Sequence, residues 1–165
     1  MRKIRNFIDF IIWIFVIFLL SQCVQKRAVE LAPSELLGMK KQLLLSGEKA
    51  IEAVKKSHIG KLKDIKDLAI FRYAQGNKSI ILWITTYPTS KVAKTETERM
   101  VQAMLKFKGW ENLKKLKIDK KIIYYISKGN KMHYFWNDSY CVFYIVSENL
   151  NKKEKVAVIK SLNCN

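Results

Sequence analysis

The chain has 165 residues, of which 31 are Lys or Arg and 14 are Asp or Glu, so its formal net charge is +17 at pH 7. Beyond a 27-residue N-terminal segment, 138 residues remain, enough for one domain with a hydrophobic core but not for two. Residues 28–165 still carry +13 (26 basic minus 13 acidic residues), which favours an anionic partner. Only five of the basic residues are Arg and the lysines are dispersed, which argues against nucleic acid as the partner. The lysines are then either ordinary solvated surface residues or contacts for anionic lipid headgroups.

The first 27 residues are organised like an export signal or a membrane anchor. Three basic side chains within 1–5 precede an unbroken apolar run from Phe10 to Leu20, and Lys26-Arg27 follows. That run would cross only about 17 Å of a hydrocarbon core about 30 Å thick, whereas the stretch from Phe7 to Val24 reaches the lower limit of a spanning helix. The larger positive charge at the N-terminal side places that end in the cytoplasm and the remaining chain across the membrane.

Leu20-Ser21-Gln22-Cys23 resembles the lipobox of bacterial lipoproteins, in which a cysteine after small residues is lipidated and becomes the mature N-terminus. Gln22 departs from the pattern, because a small residue is usual before the cysteine. Three interpretations therefore stay open: an uncleaved transmembrane helix, a lipoprotein with Cys23 as the lipidation site, and cleavage after Cys23 with full secretion. A buried helix of a soluble protein is a fourth, which the flanking basic residues disfavour.

Two helices are predicted at the start of the domain. Residues 28–34 form a short connector, and the domain itself covers 35–165. Pro33-Ser34 starts the first helix, whose apolar face would consist of Leu36, Leu37, Leu43 and Leu44. Ser46 caps a second helix, which buries Ala50, Ile51 and Val54 and ends at Gly60.

Hairpins and further helices complete a predicted α+β fold. Gly76-Asn77 joins strands over 68–75 and 79–87, in a register that sets Phe71 opposite Leu82. Five more elements follow: a helix over 90–108 capped by Thr89 or Ser90, strands over 121–127, 131–136 and 139–147 with Asn137-Asp138 as the last turn, and a helix over 151–162. The expected architecture is one antiparallel sheet built from β-hairpins, with the helices packed on one face.

The two hairpins also suggest a degenerate β-β-α repeat of about 53 residues. Gly76-Asn77-Lys78 and Gly129-Asn130-Lys131 each precede a tryptophan, Trp83 and Trp136, that comes seven residues after the glycine. Chance coincidence of two common turns is the alternative.

Two of the three cysteines lie within the domain. In an oxidising compartment, Cys141 and Cys164 are the one available pair, and closing a loop of that length would stabilise the fold by about 3 kcal/mol. In the alternative, Cys141 is a small buried hydrophobe and Cys164 belongs to a frayed tail.

His133 is the more informative of two histidines. Strand alternation places His133 and Phe135 on one face together with Tyr140 and Tyr144, so that His133, Tyr140 and Tyr144 are the candidate ligand-binding residues. The alternative is a strand covered on both faces with a satisfied core histidine. His58 is expected to cap the end of its helix rather than to catalyse.

No motif indicates catalysis, a metal or a cofactor. The chain lacks a C-x-x-C spacing and a Gly-rich phosphate loop, and Cys141 and His133 point to opposite faces.

We therefore expect a membrane-tethered extracytoplasmic domain with a binding or structural role, whose partner is a protein or a small ligand. Two alternatives stay open. One is a small envelope enzyme that uses a pocket around His133, with Asp119 as the other titratable candidate, and the other is a basic domain that binds nucleic acid or an anionic membrane surface. The oligomeric state is not indicated.

Overall fold

The computed structural model describes residues 25–57, 63–106, 109–110 and 112–164. These residues form eight strands and three α-helices, preceded by a 3₁₀ turn at Ala28–Glu30. The strands are β1 (Glu35–Leu36), β2 (Met39–Ser46), β3 (Asp67–Gln75), β4 (Lys78–Thr86), β5 (Lys114–Ile118), β6 (Lys121–Lys128), β7 (Lys131–Asp138) and β8 (Cys141–Glu148). The helices are α1 (Gly47–Ser57), α2 (Ser90–Met104) and α3 (Lys152–Ser161).

All eight strands belong to one antiparallel sheet, in the order β1-β2-β3-β4-β8-β7-β6-β5. Each half of the sheet is a run of sequence neighbours, and the two halves meet where β4 pairs with β8. Gly76 and Gly129 adopt positive φ angles of 59° and 60° in the turns of the two predicted hairpins, a conformation that costs glycine little. The α+β class and the antiparallel sheet are therefore confirmed.

Helices pack on both faces of the sheet, so the expectation of a single covered face was wrong. One face, which we call the α3 face, buries Phe71, Phe143 and Trp136 beneath α3 and residues 28–36. The opposite face, which we call the groove face, buries Leu68 under α1 and Val142 under α2. The physical reason is that β3, β4 and β8 are apolar at successive positions, so neither of their faces can be left to water.

The segment predicted as the first helix is instead the short hairpin β1–β2. Leu36 pairs with Met39, and the two residues between them turn the chain with positive φ angles of 53° at Leu37 and 81° at Gly38. The leucine spacing matched a helical face, but the turn at Gly38 and the pairing of Leu43 with Phe71 in β3 determine a strand.

Residues 28–34, expected to be a connector, pack against the sheet. Ala28 is fully buried and its N–H donates to Asp67 Oδ2 at 2.9 Å. The Tyr73 hydroxyl donates to the Pro33 carbonyl at 2.7 Å. The described chain therefore begins at one end of the sheet, where the Gln25 amide donates to the Pro88 carbonyl.

Most other local predictions are confirmed. Phe71 lies opposite Leu82 as expected, and α1 begins within one residue of Ser46. Thr89 caps α2 by accepting from the Val92 N–H at 3.2 Å. The β7–β8 turn is at Ser139-Tyr140, two residues later than predicted, and Gly60 lies outside the described residues.

The repeat stays a prediction. Trp83 lies opposite Tyr144 on the groove face, whereas Trp136 lies opposite Phe143 on the α3 face. In addition, α2 directly follows the first hairpin, but β8 stands between the second hairpin and α3.

Candidate functional site

Four aromatic rings from four adjacent strands form a row across the groove face. Trp83 of β4 meets Tyr144 of β8 edge-on, with ring centroids 5.4 Å apart. Tyr144 stacks with Phe135 of β7 at 6.1 Å, and Phe135 stacks with Tyr124 of β6 at 5.3 Å. The row exists because the strand registers pair these residues directly, which brings rings on one face within contact distance.

His133 lies in the next row of the same face, between Val146 and Ile126. Its Nδ1 atom shares a hydrogen bond of 2.8 Å with the Tyr144 hydroxyl. The two rows are therefore connected by a polar contact within an otherwise apolar surface.

Trp110 forms a wall beside this histidine. The chain between α2 and β5 places the Trp110 ring 5.3 Å from the His133 ring in an edge-on geometry. Lys128 Nζ lies 4.9 Å from the centroid of the Trp110 ring, within the range of a cation–π contact. These contacts hold the indole against the sheet.

Both members of the hydrogen-bonded pair are kept neutral. Burial lowers the pKa of His133, and the positive charges of Lys128 and Lys131 lower it further. Burial also raises the pKa of the Tyr144 hydroxyl. At neutral pH the pair therefore offers a neutral imidazole and a protonated phenol rather than a charge.

The two helices of the groove face leave this surface partly open. Helix α1 packs over β2 and β3, and α2 packs over β7 and β8. Beside these helices, β4, β7 and β8 carry five partly buried side chains, which we call the aromatic patch: Ile81, Trp83, His133, Tyr144 and Val146. The patch combines apolar area with hydrogen-bonding tips, as small-molecule sites commonly do.

Tyr140 does not join the other two predicted binding residues. It lies in the β7–β8 turn, where its hydroxyl accepts from the Lys26 N–H at 3.1 Å and its carbonyl accepts from the Tyr87 N–H at 2.9 Å. Its ring packs against the core of the α3 face. The later position of the turn is the reason, since a shift of two residues on each strand preserves the faces of His133 and Tyr144 but moves Tyr140 off the strand.

Cys141 and Cys164 are joined by a disulfide, with their Cα atoms 5.8 Å apart. The bond ties the chain after α3 to the start of β8, and both residues are buried. The lipidation candidate Cys23 and the capping candidate His58 lie outside the described residues.

Asp119, the second titratable candidate for catalysis, lies in the exposed β5–β6 turn. Its carboxylate forms an ion pair of 3.1 Å with Lys160 of α3. The structure thus links Asp119 to α3 and gives His133 a tyrosine as its polar partner. Within the described part of the chain, no three His, Cys, Asp or Glu side chains are grouped so as to hold a metal ion.

The lysines of β5 do not converge on one surface. In β5, Lys114 lies opposite Tyr125 and Lys115 opposite Tyr124, so that neighbouring lysines point to opposite faces. This arrangement does not favour a continuous nucleic-acid groove.

The sequence reasoning missed Trp83 and Trp110 as members of the site. The register of the β3–β4 hairpin places Trp83 opposite Ile70, on the face away from Phe71. That register was predictable from the sequence and could have identified Trp83 as a residue of the groove face. Trp110 had no such signal, because its position depends on the path between α2 and β5.

No described helix meets the length and hydropathy that a bilayer-spanning helix requires. No curated protein and no solved structure matches the chain. A family model, the domain of unknown function DUF4367, matches residues 56–162, a stretch that contains the whole aromatic patch and Trp110. Because the match covers more than half of the chain, the protein belongs to the DUF4367 family.

Proposed function

We propose that this protein is a membrane-tethered extracytoplasmic binding domain whose ligand site is the aromatic patch. The observation that carries the proposal is the partly exposed group of rings, Trp83, Tyr144 and His133, in which His133 and Tyr144 form a neutral hydrogen-bonded pair. Partly exposed rings beside a hydrogen-bonded His133–Tyr144 pair suit recognition better than catalysis, since no acidic residue contacts the histidine among the described side chains.

The chemistry of the patch favours a ring or chain with an apolar side and a polar substituent at one end. Trp83 and Tyr144 supply flat apolar area, while the imidazole of His133 supplies a hydrogen-bonding group. Lys128 and Lys131 raise the positive potential near the histidine. A ligand with an apolar face and a hydroxyl or anionic substituent at the His133 end would match this distribution.

Two observations support the extracytoplasmic location. The basic start and apolar run of residues 1–27 are typical of an export signal or anchor. The disulfide between Cys141 and Cys164 suits an oxidising compartment, because cytosolic thiols are normally kept reduced.

The intact mass of the protein extracted from bacterial membranes tests the tether. Loss of residues 1–22 with an added diacylglycerol mass on Cys23 would make it a lipoprotein, and a full-length mass in the membrane fraction would make the segment an anchor. A full-length protein found in the soluble cytoplasmic fraction would contradict both the tether and the location.

The binding site is tested by amide chemical-shift mapping with a library of small aromatic and saccharide compounds. We expect hits to shift amides of β4, β7 and β8 around the patch. The Trp110→Ala variant should weaken these hits at least about tenfold, by removing one wall of apolar contact. Lys160→Ala, an exposed change on the opposite face, is the matched control and should bind like the unchanged protein. Hits that map elsewhere, or that survive Trp110→Ala, would contradict the site.

A further inference from the structure

Arg72 borders the aromatic patch on the side of β3. It lies directly opposite Ile81 of the patch, and it is the next groove-face residue of β3 after Ile70, because alternate residues of a strand share a face. Arg72 is exposed, whereas Ile81 and Trp83 pack against the hydrophobic cluster of α1. A guanidinium group therefore stands where the apolar surface of the patch ends.

Arg72 also differs from the other two arginines that the structure describes. Arg27 forms an ion pair with Asp67. Arg99 forms an ion pair with Glu96. Among the described residues, no carboxylate lies within ion-pair distance of the Arg72 guanidinium. Its planar fork of donors, which fits a carboxylate with two parallel hydrogen bonds, is therefore available to a ligand.

The residues paired with Arg72 leave its charge uncompensated. Gln42 lies opposite it on β2 and Ile81 lies opposite it on β4, and neither carries a charge. The next row of the groove face contains Glu148, but the carboxylate of Glu148 already forms an ion pair of 3.0 Å with Lys131. An anionic ligand would therefore meet a positive border at Arg72.

Arg72 and His133 lie at the two ends of one row of residues across the groove face. Arg72 pairs with Ile81, Ile81 pairs with Val146, and Val146 pairs with His133. Three strand spacings separate the ends of the row, so the two Cα atoms are about 14 Å apart. The row thus has a cation at one end, two partly buried apolar side chains in the middle and a hydrogen-bonding imidazole at the other end.

We propose that Arg72 is the anion-binding residue of the aromatic patch, and that the ligand is an aromatic carboxylate that lies across β4 and β8. The carboxylate accepts hydrogen bonds from Arg72, the ring covers the apolar middle of the row, and a polar substituent at the far end of the ligand bonds to His133. This inference rests on the proposed function, because it names the class of ligand that the same patch binds.

Two probes that differ in charge but hardly in shape test the proposal: para-hydroxycinnamate and its neutral amide. Both are titrated, by calorimetry and by amide chemical shifts, into the full chain held in nanodiscs of zwitterionic lipid, with empty nanodiscs as the blank. We expect the carboxylate to bind about threefold more tightly than the amide at low salt, and the preference to shrink as salt is added, because the contact is exposed.

Arg72→Gln should abolish the preference for the carboxylate and leave the affinity for the amide unchanged, which also shows that the variant is folded. Arg72→Lys keeps the charge but loses the planar fork, so it should retain part of the preference. Lys117→Gln is the matched control, because it removes one positive charge from an exposed position of β5, away from the patch. It should bind both probes like the unchanged chain.

Equal affinity of the unchanged chain for the two probes would overturn the inference, as would a preference that survives Arg72→Gln. In both cases the patch would remain the site if the probes shift its amides, so the proposed function would stand. If neither probe shifted amides of the patch while other compounds did, the inference alone would fail. If no compound did, the proposed function would fail with it.

Discussion

His133 is a neutral, partly buried imidazole whose protonation the fold resists. Burial lowers its pKa, and Lys128 and Lys131 lower it further. An unfolded histidine titrates near its usual value of about 6.5. Below that pH the unfolded chain binds more protons at this position than the folded chain, so the contribution of His133 to stability falls as the pH decreases.

We therefore expect acidification from about pH 7.5 to about pH 5 to lower the free energy of unfolding more in the unchanged protein than in His133→Phe. Urea unfolding at both pH values measures this difference. His58 is present in both proteins, so its titration cancels in the comparison. Equal pH dependence in the two proteins would show that the environment of His133 does not disfavour its charged form.

Ser147 is a buried polar residue. Its hydroxyl lies on the α3 face with no hydrogen-bond partner among the described residues. Replacing a buried, unpaired hydroxyl with hydrogen removes a desolvation cost. Ser147→Ala should leave the free energy of unfolding unchanged or raise it by up to about 1 kcal/mol.

Chemical denaturation measures the free energy of unfolding of Ser147→Ala, and Ser79→Ala is the control variant. The Ser79 hydroxyl donates to Glu148, at 3.5 Å, so its removal should slightly destabilise the protein. If Ser147→Ala were the more destabilising of the two, the hydroxyl of Ser147 would have to be satisfied in the native protein.

Helix α3 depends on a reciprocal cap at its start. The Asn151 side chain accepts from the Glu154 N–H at 3.0 Å, and Glu154 accepts from the Asn151 N–H at 2.9 Å. Asn151→Ala should lower the free energy of unfolding by about 1 kcal/mol, because it leaves an N–H of the first turn without its partner. Thermal unfolding followed by circular dichroism measures the loss. The variant Lys152→Ala, at an exposed position next to the cap, is the control. Equal unfolding midpoints for the two variants would contradict the contribution of the cap.

Elements with local signals were predictable from the sequence. The β3–β4 hairpin follows from Gly76-Asn77 and the flanking apolar strands, and α2 from Thr89 and its amphipathic pattern. The segment from Leu36 to Leu44 was not, since its spacing fits a helix face equally well. Pairing with β3 and the positive φ of Leu37 decided it.

At the scale of the whole molecule, the disulfide links the last described residue to the centre of the sheet. Cys141 and Cys164 enclose the whole of β8 and α3. The double variant Cys141→Ala/Cys164→Ala should lower the free energy of unfolding by about 3 kcal/mol, chiefly because the unfolded chain regains the freedom of that loop.

Urea unfolding of the double variant, and of the unchanged protein with and without reductant, measures this effect. Reductant should destabilise the unchanged protein and leave the double variant unaffected. A reductant effect of equal size in both proteins would assign the loss to something other than the Cys141–Cys164 bond.

The aromatic patch was partly predictable. Strand parity alone placed His133 and Tyr144 on one face, because alternation survives a turn that moves by two residues on each strand. The same argument placed Tyr140 with them, but in the structure Tyr140 lies in the β7–β8 turn and not on a strand. Trp110 could not be predicted, since it reaches His133 through a connection whose path no periodicity describes.

By itself, the sequence determined the α+β class, the β3–β4 and β6–β7 hairpins, the Thr89 cap of α2 and the face on which most strand residues lie, because these depend on turns and periodicities within a few residues. Only the tertiary structure decided that β4 pairs with β8, which brings Trp83 into contact with Tyr144, a residue distant in the sequence. It alone also decided that helices pack on both faces of the sheet. It also decided which aromatic rings stay partly exposed. These features depend on contacts between distant segments, where several pairings bury similar apolar area and no local pattern selects among them.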